Sequence, residues 1–157
     1  MKGKLTTGKG KLTDDWPKDI VRLVGKIGIA FAQLEYAVFL VAKRVDGNLP
    51  LAEFAMANRG PTFDQWCKKT IKKAADDPAL VHRLKEAQEL ARRRNDLFHA
   101  LWAKEKATGR RMVVRVPPKG DPFEVELDPA RFADLLKSIR ATRDEIFKHK
   151  LPEDAAG

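Results

Sequence analysis

Histidine and cysteine are scarce in this chain, which has three of the former and one of the latter among 157 residues. A lone Cys67 excludes an internal disulfide, and its place on an apolar stripe makes it a poor nucleophile, because burial raises a thiol pKa. His82, His99 and His149 are far apart, with no cysteine or carboxylate at ligand spacing, so no zinc site and no cofactor are expected. A Gly-rich phosphate loop, a Walker lysine and a GxSxG elbow are all missing. Long apolar runs are missing too. The best candidate, Ile27 to Ala42, falls short of the ~20 residues of a membrane span and contains Gln33 and Glu35, so it reads as a buried core helix. With no secretory apolar segment between Met1 and Asp15, the expected location is the cytoplasm, without a membrane partner.

What is abundant is positive charge. The formal net charge is +9, of which Lys2, Lys4, Lys9 and Lys11 supply +4 from an acid-free tail and leave +5 for the rest. That balance favours anionic partners, nucleic acid first among them. The length fits one domain. Residues 1–12 should form a disordered basic tail, 13–150 a single helical domain and 151–157 a frayed end.

Thr13, Asp14 and Asp15 offer caps for a first helix with Pro17 in its first turn. From Ile20 the apolar positions Val24, Ile27, Phe31, Leu34, Val38, Val41 and Val45 step four, three, four, three, the seam of a bundle helix. Gly25 and Gly28 weaken a helix, which predicts a neighbouring backbone close by. Asp46-Gly47-Asn48 ends the element. A short helix over Leu51 to Ala57 follows, then a third capped by Thr62 and running from Phe63 to Ala75, with Phe63, Trp66, Cys67, Ile71 and Ala74 inward. Its outward face carries Lys68, Lys69, Lys72 and Lys73. Asp77-Pro78 starts a helix that should run to about Lys104. Met112 to Val116 and Phe123 to Leu127 flank a Pro/Gly-rich loop and predict a two-stranded hairpin. Asp128-Pro129 opens the last helix, with Phe132, Leu135, Leu136, Ile139, Ile146 and Phe147 inward. The expected fold is all-α, a four-helix-type up-and-down bundle with a small β-hairpin inserted before the C-terminal helix.

The segment Arg92-Arg93-Arg94-Asn95-Asp96-Leu97-Phe98-His99-Ala100-Leu101-Trp102 interrupts this pattern. The apolar line Leu80, Leu84, Ala87, Ala91 meets Arg94 before resuming at Phe98 and Leu101, so a cation takes a core-facing slot, which calls for a partner or a role. On a continuous helix Asn95 and His99 share one face, with Trp102 farther along the same edge.

That string resembles the R-polar-x-x-x-H motif of the HEPN superfamily, small helical proteins whose paired helical hairpins dimerise to form a composite ribonuclease site. Arg94 matches the arginine, Asn95 the polar residue and His99 the histidine. Ile27-Gly28-Ile29-Ala30-Phe31-Ala32-Gln33-Leu34-Glu35 is similar to the first helix of a bacterial HEPN-like group whose motif helix often ends in Trp, here Trp102. The resemblance covers about Pro17 to Trp102. It implies a homodimeric RNA-binding protein of toxin or defence type, partnered by RNA and by an antitoxin or other protein. It also implies metal-independent cleavage in which His99 moves protons as a ribose 2′-OH attacks phosphorus, Arg94 neutralises the phosphate oxygens and Asn95 orients the phosphate or the imidazole.

Arg92 and Arg93 meet a looser spacing to His99, and Arg143 to His149 is a second match near the C-terminus. The first register is preferred because it sits within an apolar helix, precedes a Trp and carries Asn after the Arg. Each residue also has a plain structural reading. Arg94 could pair with Glu35 of the first helix, Asn95 could bridge helices, His99 could be a bonded core-edge histidine, and Trp102 could be core. The four lysines could be a solvated face, and Arg110, Arg111 and Arg115 could either grip phosphates or protect hairpin edges. The rival function is a non-catalytic helical interaction module that binds a protein or nucleic acid.

Overall fold

The computed structural model describes residues 16–47, 63–104, 107–117 and 119–151. The expectations for the basic tail, the caps at Thr13 to Asp15 and Thr62, the helix over Leu51 to Ala57 and the end from Pro152 lie outside them. The described chain is mostly helical with a small antiparallel sheet: α1 (Lys18–Val45), α2 (Phe63–Lys73), α3 (Pro78–Phe98), β1 (Ala100–Lys104), β2 (Arg111–Arg115), β3 (Phe123–Val125) and α4 (Pro129–Lys148).

The predicted seam of α1 is the core. Ile20, Ile27, Phe31, Leu34, Val38 and Val41 are buried, and Val24 and Val45 pack at its margin. Pro17 sits at the N-cap rather than inside the first turn. By length and composition α1 could cross a membrane, contrary to the expectation that its apolar stretch is too short. In this fold its apolar side is covered chiefly by α4 and also by α2 and α3. The glycine expectation is corrected at both positions. Gly25 faces open space, and a Cβ at Gly28 would lie 3.2 Å from the ring of Phe98, so a side chain rather than a backbone comes close there.

Two helix starts follow the local signals. Asp77 accepts the N–H of Leu80 at 2.9 Å, Asp128 accepts that of Ala130 at 2.9 Å, and a proline opens each helix. In α2, Trp66 and Cys67 are buried as expected, as is Ala74 just past its end, joined by Thr70, whose hydroxyl donates to the Trp66 carbonyl. On α4 the inward stripe holds except for Phe147, which is 63% exposed.

The end of α3 departs from the sequence pattern. The helix stops at Phe98, and the segment expected to continue it to Lys104 is a strand paired residue for residue with Arg111–Arg115. The two-stranded hairpin is accordingly a three-stranded meander in the order β1-β2-β3, with a shortened last strand. Pairing along β1 satisfies backbone groups that a longer helix would have satisfied internally. No glycine ends the helix. Instead the Trp102 indole donates to the Leu97 carbonyl at 3.2 Å, and Arg115 donates to the His99 carbonyl at 3.2 Å, so two side chains cover the last turn. Trp102 packs on the helical core, edge-on to Trp16. Leu101, expected in the helical apolar line, is 63% exposed on β1.

Candidate functional site

Arg94 lies in the last full turn of α3 and is only partly buried. Its guanidinium carbon lies over two rings, 4.7 Å from the centroid of Phe31 and 4.9 Å from that of Phe98. Such cation–π contacts are favourable for a delocalised cation. Nη1 donates to the Asn95 amide oxygen at 2.9 Å, while the buried Nε has no partner. The expected ion pair with Glu35 is not made, and the two rings take its place. Glu35, one helical turn beyond Phe31, still feels the cation: burial pushes its carboxyl above the ordinary range, and the Arg94 charge pulls against that rise.

Asn95 therefore serves Arg94 and makes no side-chain bond to His99. Those two residues are joined through the backbone, where the His99 N–H donates to the Asn95 carbonyl at 2.9 Å. His99 is the C-cap of α3, with φ −100° and ψ 15°, and it is exposed. Among the described residues its ring has no hydrogen bond or ion pair. Trp102, displaced onto β1, caps the helix instead of continuing its edge. The structure thus brings Arg94 and Asn95 into contact, leaves the His99 ring free one turn on, and keeps Glu35 as a charge acting through space.

The second motif match is spent. The Arg143 guanidinium bonds Asp144 and Gln33. His149 Nε2 lies 2.7 Å from Asp77 Oδ2, with side chains only 10% and 13% exposed. Burial pushes the Asp77 carboxyl up, but the Leu80 N–H and His149 outweigh it and hold the group below the usual range. Arg44 adds a bond to the His149 carbonyl at 3.1 Å. Sequence reading missed this clasp, although the cap signal at Asp77 was its one visible half.

Of the basic residues, Lys68 pairs with Asp64, Lys73 with Asp46, and Arg110 forms two bonds with Glu124 at 2.9 and 3.1 Å. Lys69 and Lys72 have no such carboxylate among the described residues. Arg111 opens β2 opposite Lys104. Cys67 is fully buried and its thiol is pushed up to about 12, chiefly by burial. Among the described residues no group of three or more histidine, cysteine or acidic side chains could hold a metal ion.

No family model, curated protein or solved structure matches the chain. The site therefore stands on its own geometry: a hydrogen-bonded arginine against two rings, five residues before an unbonded imidazole.

Proposed function

We propose that the chain is a HEPN-type RNA-binding protein and a metal-independent endoribonuclease. In this reading its helices form an up-and-down bundle, and two copies bring their α3 ends together. One observation carries the reading: the His99 ring is exposed and unbonded, while Arg94, five residues earlier on the same helix, is held by Phe31, Phe98 and Asn95. A group that transfers protons must reach solvent and substrate, and a group that stabilises growing charge gains from being fixed in advance. Imidazole suits the first role because it exchanges protons near neutral pH. As the 2′-OH attacks phosphorus, His99 accepts its proton or supplies one to the departing 5′ oxygen. Arg94 faces the non-bridging oxygens, and the products are a 2′,3′-cyclic phosphate and a 5′-OH. One histidine per chain is sparse for both transfers, so the partner copy supplies the second. Exposed Phe98 and Leu101 beside His99 offer apolar surface for that contact. An antitoxin or other protein partner belongs to the same cytoplasmic, defence-type reading.

The rival is a non-catalytic interaction module, favoured by exposed Ile29 and Tyr36 on α1 together with Phe98 and Leu101. Incubating the pure protein with mixed RNA, with and without EDTA, separates the two. Cleavage that persists in EDTA and disappears in His99→Ala supports the ribonuclease. Equal cutting by both proteins, or none by the wild type, favours the module. Sedimentation at micromolar concentration tests the dimer.

A further inference from the structure

We propose that Arg115 is the residue that positions His99, an inference that rests on the ribonuclease reading. Arg115 ends the central strand β2 and is held in two ladders, opposite Ala100 of β1 and Phe123 of β3. From that rigid base its side chain, 18% exposed, reaches back over the end of α3. Nη1 donates to the His99 carbonyl at 3.2 Å and to that of Val116 at 3.3 Å. Nε is buried and lies 3.5 Å from the Asp96 carboxylate, as an ion pair without a hydrogen bond. These donors are directed at groups of this chain, so Arg115 is not an open phosphate grip of the kind its hairpin position first suggests.

The physical need is local. The last carbonyls of a helix have no intrahelical donor and carry the negative end of its dipole, which a cation complements. At His99 the chain also leaves the helix for a strand without a glycine to make the turn. Its N–H is held by Asn95 and its carbonyl by Arg115, so the backbone is fixed on both sides. With no bond to the ring itself, that backbone sets where the imidazole projects. A lysine would keep the charge but lose the planar fork that spans the His99 carbonyl and Asp96.

The test compares full-length wild type, Arg115→Lys, His99→Ala and the double variant in RNA cleavage. Arg115→Lys should lower kcat about 10- to 100-fold, the scale of misplacing a catalytic group by about 1 Å. KM should stay within about twofold, and the double variant should be no slower than His99→Ala, because both act through one group. In NMR spectra of Arg115→Lys the His99 amide and ring signals should shift or broaden. A raised KM with unchanged kcat would make Arg115 a phosphate contact and overturn the proposal while leaving the ribonuclease intact. If the wild type cuts no RNA, the functional reading falls, and unchanged His99 signals in Arg115→Lys then overturn the positioning claim as well.

Discussion

The two ends of α3 carry the same chemistry to opposite outcomes. At the N-terminal end Asp77 caps the helix and also holds His149, and both side chains are almost covered. At the C-terminal end His99 is exposed with a free ring, and the nearby cation lies over aromatic rings rather than bound to a carboxylate. One histidine is used for structure and the other remains open to solvent. The difference lies in the neighbours, since spacing to a preceding arginine is similar in the two cases. A carboxylate that is already needed as a cap is well placed to capture an imidazole. A helix end whose carbonyls are covered by Trp102 and Arg115 leaves the adjacent imidazole unclaimed.

The strongest way to break this contrast is to exchange the two losses. His99→Ala should lower RNA cleavage by about 10²- to 10⁴-fold, the usual contribution of acid–base transfer, with urea stability unchanged. His149→Ala should do the reverse, and a stable His149→Ala protein that no longer cuts RNA would erase the distinction. Next in size, Asp77→Ala removes a cap and a largely buried hydrogen-bond partner of His149 together. It should cost on the order of 2–4 kcal/mol in urea unfolding, and kcat of the folded protein should hold. The carboxyl of Asp77 is held below its ordinary value, so its stabilisation is complete above the unfolded pKa of about 3.9 and fades as pH falls through the lower folded value. Wild type should lose stability across that acid window, and Asp77→Ala should lose less.

The smallest effect has the opposite sign. Glu35 is held above its ordinary value, so the folded state favours its protonated form. That preference stabilises the fold below the unfolded pKa of about 4.3 and is lost as pH rises through the higher folded value. Glu35→Gln should therefore raise the midpoint of thermal unfolding slightly at pH 7, with the gain vanishing near pH 4. A loss of stability at pH 7 would mean that attraction to Arg94 outweighs the burial of the charge.

Features governed by neighbours in sequence were legible from it. The Asp-Pro starts at residues 77 and 128, the α1 seam and the α2 stripe all follow from caps and helical period. Arg94 also stood out, as a cation in an apolar line. The end of its helix was hidden, because it depends on pairing with Arg111–Arg115 and on capping by Trp102 and Arg115 rather than on a local stop signal. The Glu35 pairing failed for a related reason. An arginine in a core slot can be satisfied by ring faces as well as by a carboxylate, and the choice depends on how α1 lies against α3. The His149–Asp77 clasp joins residues 72 positions apart, a distance over which no periodicity speaks.

Phe98 lies over Gly28, and its ring is also one of the two beneath Arg94. The absent side chain at residue 28 is therefore a dimension of the site. A methyl group there would require the ring to yield by a few tenths of an ångström, and that ring is one that the guanidinium rests against. A residue with no side chain to donate, accept or titrate thus shares a neighbouring ring with the one that carries the charge. On the ribonuclease reading, a mutational scan scored by RNA cleavage would group Gly28 with Arg94 and His99, although it lies on another helix and has no functional group of its own.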